Sequence, residues 1–241
     1  VIVETEVTSE PTWNYNDLVL FVFLAMVSIG VVQALTYLAS RALHLSKAER
    51  PLLLMPTQVM LYFLLLMALY GILKLQYGRP VLASLAWVDF PLSAVSVLLT
   101  GFALAVVNGI AARLLHTPDL DTPIRHLFDR RLTAIEFGLL ATTLGPLCEE
   151  FIFRGFMQPL FVRSLGSVAG ILITAVLFGS LHLAQNSFAW QSGLLITITG
   201  VALGWMRQIS GSTKASALMH SAYNFTYFVA AFSQLGNQTA K

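Results

Sequence analysis

Charge is scarce in this sequence. Lysine, arginine, aspartate and glutamate make up 11% of the 241 residues, and 56% are hydrophobic. Soluble domains carry roughly 25% charged residues, so a soluble globular fold is excluded. The net charge is only +2 and its cations are scattered, without a basic stripe interleaved with aromatics. That argues against a nucleic-acid partner. A lone cysteine, Cys148, cannot form an internal disulfide, and no Cys/His cluster has the spacing of a structural zinc site. HExxH is missing, as are internal repeats and low-complexity linkers. The strand-like alternation of a membrane barrel is also missing. What is present is a succession of long apolar runs, the mark of an integral membrane protein built from helices.

Residues 1–17 form a polar N-terminal segment with Glu4, Glu6, Glu10 and Asp17 and no lysine or arginine. That is the wrong charge for a signal-peptide start, so the first apolar run reads as a retained transmembrane helix. The remainder, 18–241, reads as a single all-α transmembrane domain. Its predicted spans are 18–40, 52–75, 91–115, 132–163, 167–184, 191–208 and 215–234, about seven in all. Pro51 suits a helix start. Residues 76–90, with Trp87, suit the interface. The two Thr-Pro steps of 116–131 mark a loop. Segment 132–163 exceeds the roughly 20 residues of a simple span, and Gly145-Pro146 predicts a kink in it. Short connections such as SLGS and ISGSTK predict antiparallel neighbours in a compact bundle.

An outside N-terminus puts Arg41, Lys47, Arg50, Arg113, Arg125, Arg130, Arg131 and Lys241 on the cytoplasmic side. Lys74, Arg79, Arg163, Arg207 and Lys214 then lie opposite. Eight cations against five favours this orientation.

Against this apolar background, residues 148–155 read CEEFIFRG. A charge at mid-membrane costs roughly 2.5–3.5 kcal/mol on insertion scales, and three of them fall within six residues. Glu150 and Arg154 are four apart and share a helix face, whereas Glu149 is rotated from Glu150 by about 100°. Phe178 and His182 are four apart in the next apolar segment, and His220 and Asn224 in the last. Glu150 and Arg154 alone would make a packing ion pair, and a single histidine often only hydrogen-bonds between helices. After that pair is neutralised, one carboxylate, two histidines and an asparagine remain, more than packing requires. Intramembrane ionisable groups are functional candidates by default. A carboxylate in a dry cavity becomes a usable general base. With a histidine on a facing helix it can hold and deprotonate a water, and N–H donors from His220 and Asn224 can stabilise an oxyanion. These residue types suit hydrolysis of a peptide bond at the membrane.

The motifs EExxxR, FxxxH and HxxxN, in this order and each in an apolar helix, resemble the CPBP family of intramembrane proteases. The family includes type II CAAX prenyl endopeptidases and bacteriocin-processing or self-immunity relatives. The resemblance covers roughly 131–235. It implies that Glu149 is the general base, that His182 helps to activate the water, and that His220 and Asn224 stabilise the oxyanion. Glu150 and Arg154 match positions that suit an orienting ion pair, and Phe178 would shape the wall of the site. It also implies catalysis without a cofactor. Zinc held by Glu149, His182 and His220 is the weaker alternative. The short chain, with SLHLAQN after the second motif, looks like a bacterial member. The expected setting is therefore a multi-pass protein of a bacterial cell membrane, and the expected partners are a peptide or membrane-protein substrate and the lipid bilayer.

Other candidates are weaker. Cys148 reads as a packing residue, Ser180 and Ser221 as helix-packing serines, and His44, His116 and His126 as solvated loop residues. Asn108 suits an interhelical hydrogen bond, and Trp190 and Trp205 suit interface anchoring. Two competing functions are a non-catalytic membrane scaffold that binds a partner protein and a proton-coupled transporter. Inverted repeats would mark the transporter, and they are not seen.

Overall fold

The computed structural model describes residues 11–46, 49–118 and 123–238; Glu4, Glu6, Glu10, Lys47 and Lys241 lie outside them. Helix α1 (Tyr15–Ala42) begins at Tyr15 rather than Leu18 because Asn14 caps it. The Asn14 side chain accepts from the Asn16 amide at 2.8 Å, and the Asn14 amide donates to Asp17 Oδ2 at 2.8 Å. This box satisfies N–H groups that the first helical turn leaves free. Asp17 is buried, and Gln76 Nε2 and Tyr77 Oη donate to it at 2.9 and 2.6 Å.

A 3₁₀ turn (Arg50–Leu53) with Pro51 in its first positions leads into α2 (Leu54–Tyr70), which widens into a π turn (Gly71–Gln76). The short α3 (Val81–Ser84) follows, then α4 (Ala94–Leu114), α5 (Pro123–Leu127) and α6 (Arg131–Thr142). The predicted loop 116–131 therefore holds one turn of helix. α7 (Leu144–Glu150) runs into a second π turn (Phe151–Met157) and then α8 (Gln158–Leu183). A 3₁₀ turn (Ala184–Asn186), α9 (Trp190–Ser210) and α10 (Thr213–Gln238) complete the bundle. No strand occurs among the described residues.

Each of the seven predicted segments is helical, but not all are equally apolar. Among the described residues, four stretches are long and apolar enough to cross a membrane: Tyr15–Ala42, Arg50–Gln76, Ala94–Leu114 and Arg131–Asn186. The last holds two predicted spans. α9 and α10 are not among the four, because they carry polar groups that turn inward, among them Thr199, Ser216 and His220. The chain is a multi-pass, all-α membrane bundle whose outer faces, such as Val19, Phe23 and Met26 of α1, remain apolar and exposed.

The two breaks in 131–183 have different causes. Thr143, at φ −126° and ψ −82°, separates α6 from α7. It lies three residues before Pro146, whose ring would clash with the Thr142 carbonyl and which lacks an N–H for it. Gly166, at φ 81° and ψ 166°, divides α8 into two arms. A side chain would be strained in that conformation.

Small residues let the helices approach closely. A Cβ on Gly200 would meet Ala175 Cα at 3.1 Å, between α9 and α8. A Cβ on Gly101 would run into the Met219 carbonyl and lie 2.9 Å from Ala222 Cβ, between α4 and α10. Asn108, on the same buried side of α4, donates to Thr199 Oγ1 at 2.7 Å and Leu195 O at 3.2 Å on α9, and to Tyr223 Oη at 3.2 Å on α10.

Gly109, also on α4, has open space where a Cβ would go. Gly101→Val is therefore expected to lower stability in detergent by roughly 1–3 kcal/mol through overpacking, while Gly109→Val changes it little. Thermal melts of the two variants check this.

Candidate active site

Glu149 and Glu150 end α7, and the π turn begins at the next residue. A π turn adds a residue to the helical ring and often occurs at functional sites. Pro159, just beyond it, has no N–H to close an α-helical bond onto Gly155. The two glutamates meet different surroundings. Glu150 is fully buried; the Glu149 side chain keeps 21% of its exposure.

The Glu150 carboxylate is saturated. Oε1 accepts from Arg154 Nη1 at 2.8 Å and faces His220 Nδ1 at 3.0 Å, while Oε2 accepts from the Ser216 hydroxyl. Arg154, also fully buried, donates through Nη2 to the Gly200 carbonyl at 3.0 Å, and its guanidinium carbon lies 4.6 Å from the centre of the Phe178 ring. A cation over an aromatic face is attractive, more so when both are desolvated. One turn on, Gln158 Nε2 donates to the Gly204 carbonyl at 3.0 Å. The side chains that follow Glu150 on this face are thus tied to α9 by its glycine carbonyls.

Glu149 has fewer ties. Its Oε1 accepts from Tyr62 Oη at 3.1 Å, and its Oε2 lies 3.8 Å from His220 Nε2, too far for a direct hydrogen bond. His182 Nδ1 is 2.8 Å from the Phe178 carbonyl. A carbonyl only accepts, so Nδ1 carries the proton and Nε2 of the neutral ring presents a lone pair. The Phe178 ring centre lies 4.6 Å from that of His182 and 5.9 Å from that of His220. Phe178 therefore sits between the two histidines and under Arg154. Asn224 Nδ2 donates to the Ala141 carbonyl at 2.7 Å, just before the break at Thr143.

Glu149, Glu150, Arg154, Phe178 and His220 thus adjoin one another, with His182 reached through Phe178. Asn224 is one turn from His220 and ties α10 to the end of α6. Cys148 is buried and free. Among the described residues no group of three or more His, Cys, Asp or Glu is arranged to hold a metal ion. Glu150 has spent its oxygens on Arg154, Ser216 and His220.

Two participants escaped the sequence reading. Ser216 forms an i, i+4, i+8 polar stripe with His220 and Asn224, a signal that was available. Tyr62 has no such local mark beyond Gln58 one turn earlier, since its partner is 87 residues away in the chain.

Residues 131–226 match the family model described as Rce1-like, type II CAAX prenyl endopeptidase. The match opens at α6, ends within α10 and includes each motif residue. This segment is similar to the CAAX-type proteases, in line with the resemblance that its motifs carry. No curated protein and no solved structure matches the chain. The Rce1-like family is one of proteases, so at family level the match gives a CAAX-protease-like intramembrane endopeptidase. Tyr62, on α2, comes from outside the Rce1-like segment.

Breaking the buried pair has a predictable cost. Arg154→Ala leaves the Glu150 charge without its cation, and removing one partner of a buried ion pair typically costs about 3–5 kcal/mol. The variant is expected to elute as aggregate on size-exclusion chromatography, or to melt far below wild type.

Proposed function

We propose that the chain is an intramembrane endopeptidase in which Glu149 is the working base. Glu149 and His182 activate a water, and His220 and Asn224 stabilise the oxyanion. The observation that carries this reading is the contrast between the two adjacent carboxylates. Glu150 is saturated and buried, whereas Glu149 keeps an oxygen open beside an imidazole in a partly open site.

The steps use this chain's own groups. Glu149 Oε2 takes a proton from a water that also hydrogen-bonds the free Nε2 of His182. The hydroxide oxygen attacks the carbonyl carbon of the scissile amide, and the carbonyl bond pair moves onto oxygen. His220, as the imidazolium whose Nδ1–H is held by Glu150, donates from Nε2–H to that oxyanion. Asn224 adds the second of its two amide N–H groups, the first being held by Ala141. Such donors in a dry site are usually the largest contribution to acyl-transfer catalysis. Collapse breaks the C–N bond, and the leaving nitrogen takes the proton held by Glu149. Glu150 and Arg154 keep the helix in register. The substrate is a membrane-associated peptide or protein, and the setting is a bacterial cell membrane.

Purified protein in detergent, incubated with a quenched fluorescent library of lipidated and unlipidated peptides, tests this reading. Wild type is expected to cleave, with or without a chelator. Glu149→Gln is expected to keep the wild-type melting temperature and to lose at least about 100-fold in rate, the lower range for a general base. Loss of wild-type activity on chelation would make Glu149 and the histidines metal ligands. A fully active Glu149→Gln would remove Glu149 from the chemistry.

A further inference from the structure

Tyr62 lies in α2, a helix that the sequence presents only as a generic apolar span, yet it reaches Glu149. The residue is 9% exposed, and its hydroxyl donates to Glu149 Oε1 at 3.1 Å. Gln58, one turn earlier, interacts with the same hydroxyl. The approach depends on Gly145: a Cβ there would lie 3.3 Å from Tyr62 Oη and 3.2 Å from the Leu140 carbonyl. The glycine beside Pro146 therefore admits the phenol against the α6–α7 break. The ring packs on this bend, and the hydroxyl reaches over it to the carboxylate.

We infer that Tyr62 is a positioning residue that holds Glu149 by one oxygen and so dedicates the other to the water. This inference rests on the reading of Glu149 as the base. A carboxylate on a glutamate stem rotates about several bonds, and both oxygens are equivalent when free. A hydrogen bond from a buried phenol removes that freedom. Oε1 is occupied by Tyr62, and Oε2 is left on the side of His220 Nε2, 3.8 Å away. The bond is charge-assisted, the stronger kind. It also explains how two neighbouring glutamates stay distinct. Ser216, His220 and Arg154 claim Glu150 from α10 and from its own helix, and Tyr62 draws Glu149 toward α2. The positioning group thus comes from a part of the chain that the family match does not cover.

The test compares wild type, Tyr62→Phe, Glu149→Ala and the double variant, all as full-length purified protein. Tyr62→Phe keeps the ring against Gly145 and removes only the hydroxyl. On a peptide that wild type cleaves, Tyr62→Phe is expected to lower kcat about tenfold, the size of one hydrogen bond to a charged group, with KM within about twofold. A role in packing alone would leave kcat unchanged, and that result overturns the inference. In thermal melts, Tyr62→Phe is expected to lower the melting temperature in the wild-type background and not in the Glu149→Ala background. Equal losses in both backgrounds would show that the hydroxyl does not act on Glu149. If wild type cleaves no peptide, the proteolytic reading fails, while the melts still decide whether Tyr62 holds Glu149.

Discussion

The buried carboxylate of Glu150 is the constraint on which the rest of the interior depends. Taking a carboxylate and a guanidinium out of water costs several kcal/mol for each ion, and their attraction offsets this only with good geometry and further hydrogen bonds. Here both ions are fully buried and nearly saturated. Arg154, His220 and Ser216 surround the carboxylate, and the Gly200 carbonyl and the Phe178 face receive the guanidinium. These partners come from the π turn, α8, α9 and α10. Four elements must therefore be in register before the charges are tolerable. The close helix approaches serve this need: Gly200 can offer its carbonyl to Arg154 because it has no Cβ to meet Ala175.

A saturated Glu150 defines its neighbour by contrast. Glu149 follows the same backbone but points elsewhere, into a site with one aromatic hydroxyl and an imidazole at a distance. The same α10 face serves both carboxylates. His220 turns Nδ1 to Glu150 and Nε2 toward Glu149, so its ring orientation is set by the structural carboxylate and its free edge is offered to the other. His182 is fixed in the same manner, with Nδ1 on the Phe178 carbonyl and Nε2 left over. In each case one ring nitrogen holds the ring in place and the other faces away from that contact.

The helical class was legible because hydropathy and span length act locally along the chain. So was the shared face of Glu150 and Arg154, since a spacing of four is read within one helix. Legibility fails where a partner is remote. Asp17 read as part of a polar N-terminal segment; it is buried in α1 because Gln76 and Tyr77 come back to it. Gly145-Pro146 signalled a bend, yet the backbone breaks at Thr143, because a proline acts on the turn before it. The π turn after Glu150 left no periodic mark. The count of spans was uncertain for a related reason: α9 and α10 trade lipid-facing hydropathy for inward polar groups, and a hydropathy reading cannot tell which neighbours will cover them.

The family-matched segment is also not closed by itself. Three side chains from the first part of the chain cover the outer side of the π turn. Trp13 stacks on Phe156, with ring centres 5.3 Å apart, and its indole donates to the Phe156 carbonyl at 2.9 Å. Leu85 packs against Gly155, where a Cβ would lie 3.1 Å from the leucine Cβ. Trp87 meets Phe151 edge-on at 5.1 Å. The loop that carries Leu85 is pinned in turn, since the Thr213 hydroxyl donates to the Leu85 carbonyl at 2.6 Å at the start of α10. The π turn thus lies between α9, which Arg154 meets at the Gly200 carbonyl, and a lid of aromatic and aliphatic groups over Phe151, Gly155 and Phe156. The motif residues supply the charges, but the dry surroundings that give those charges their strength are built largely by residues outside the motifs.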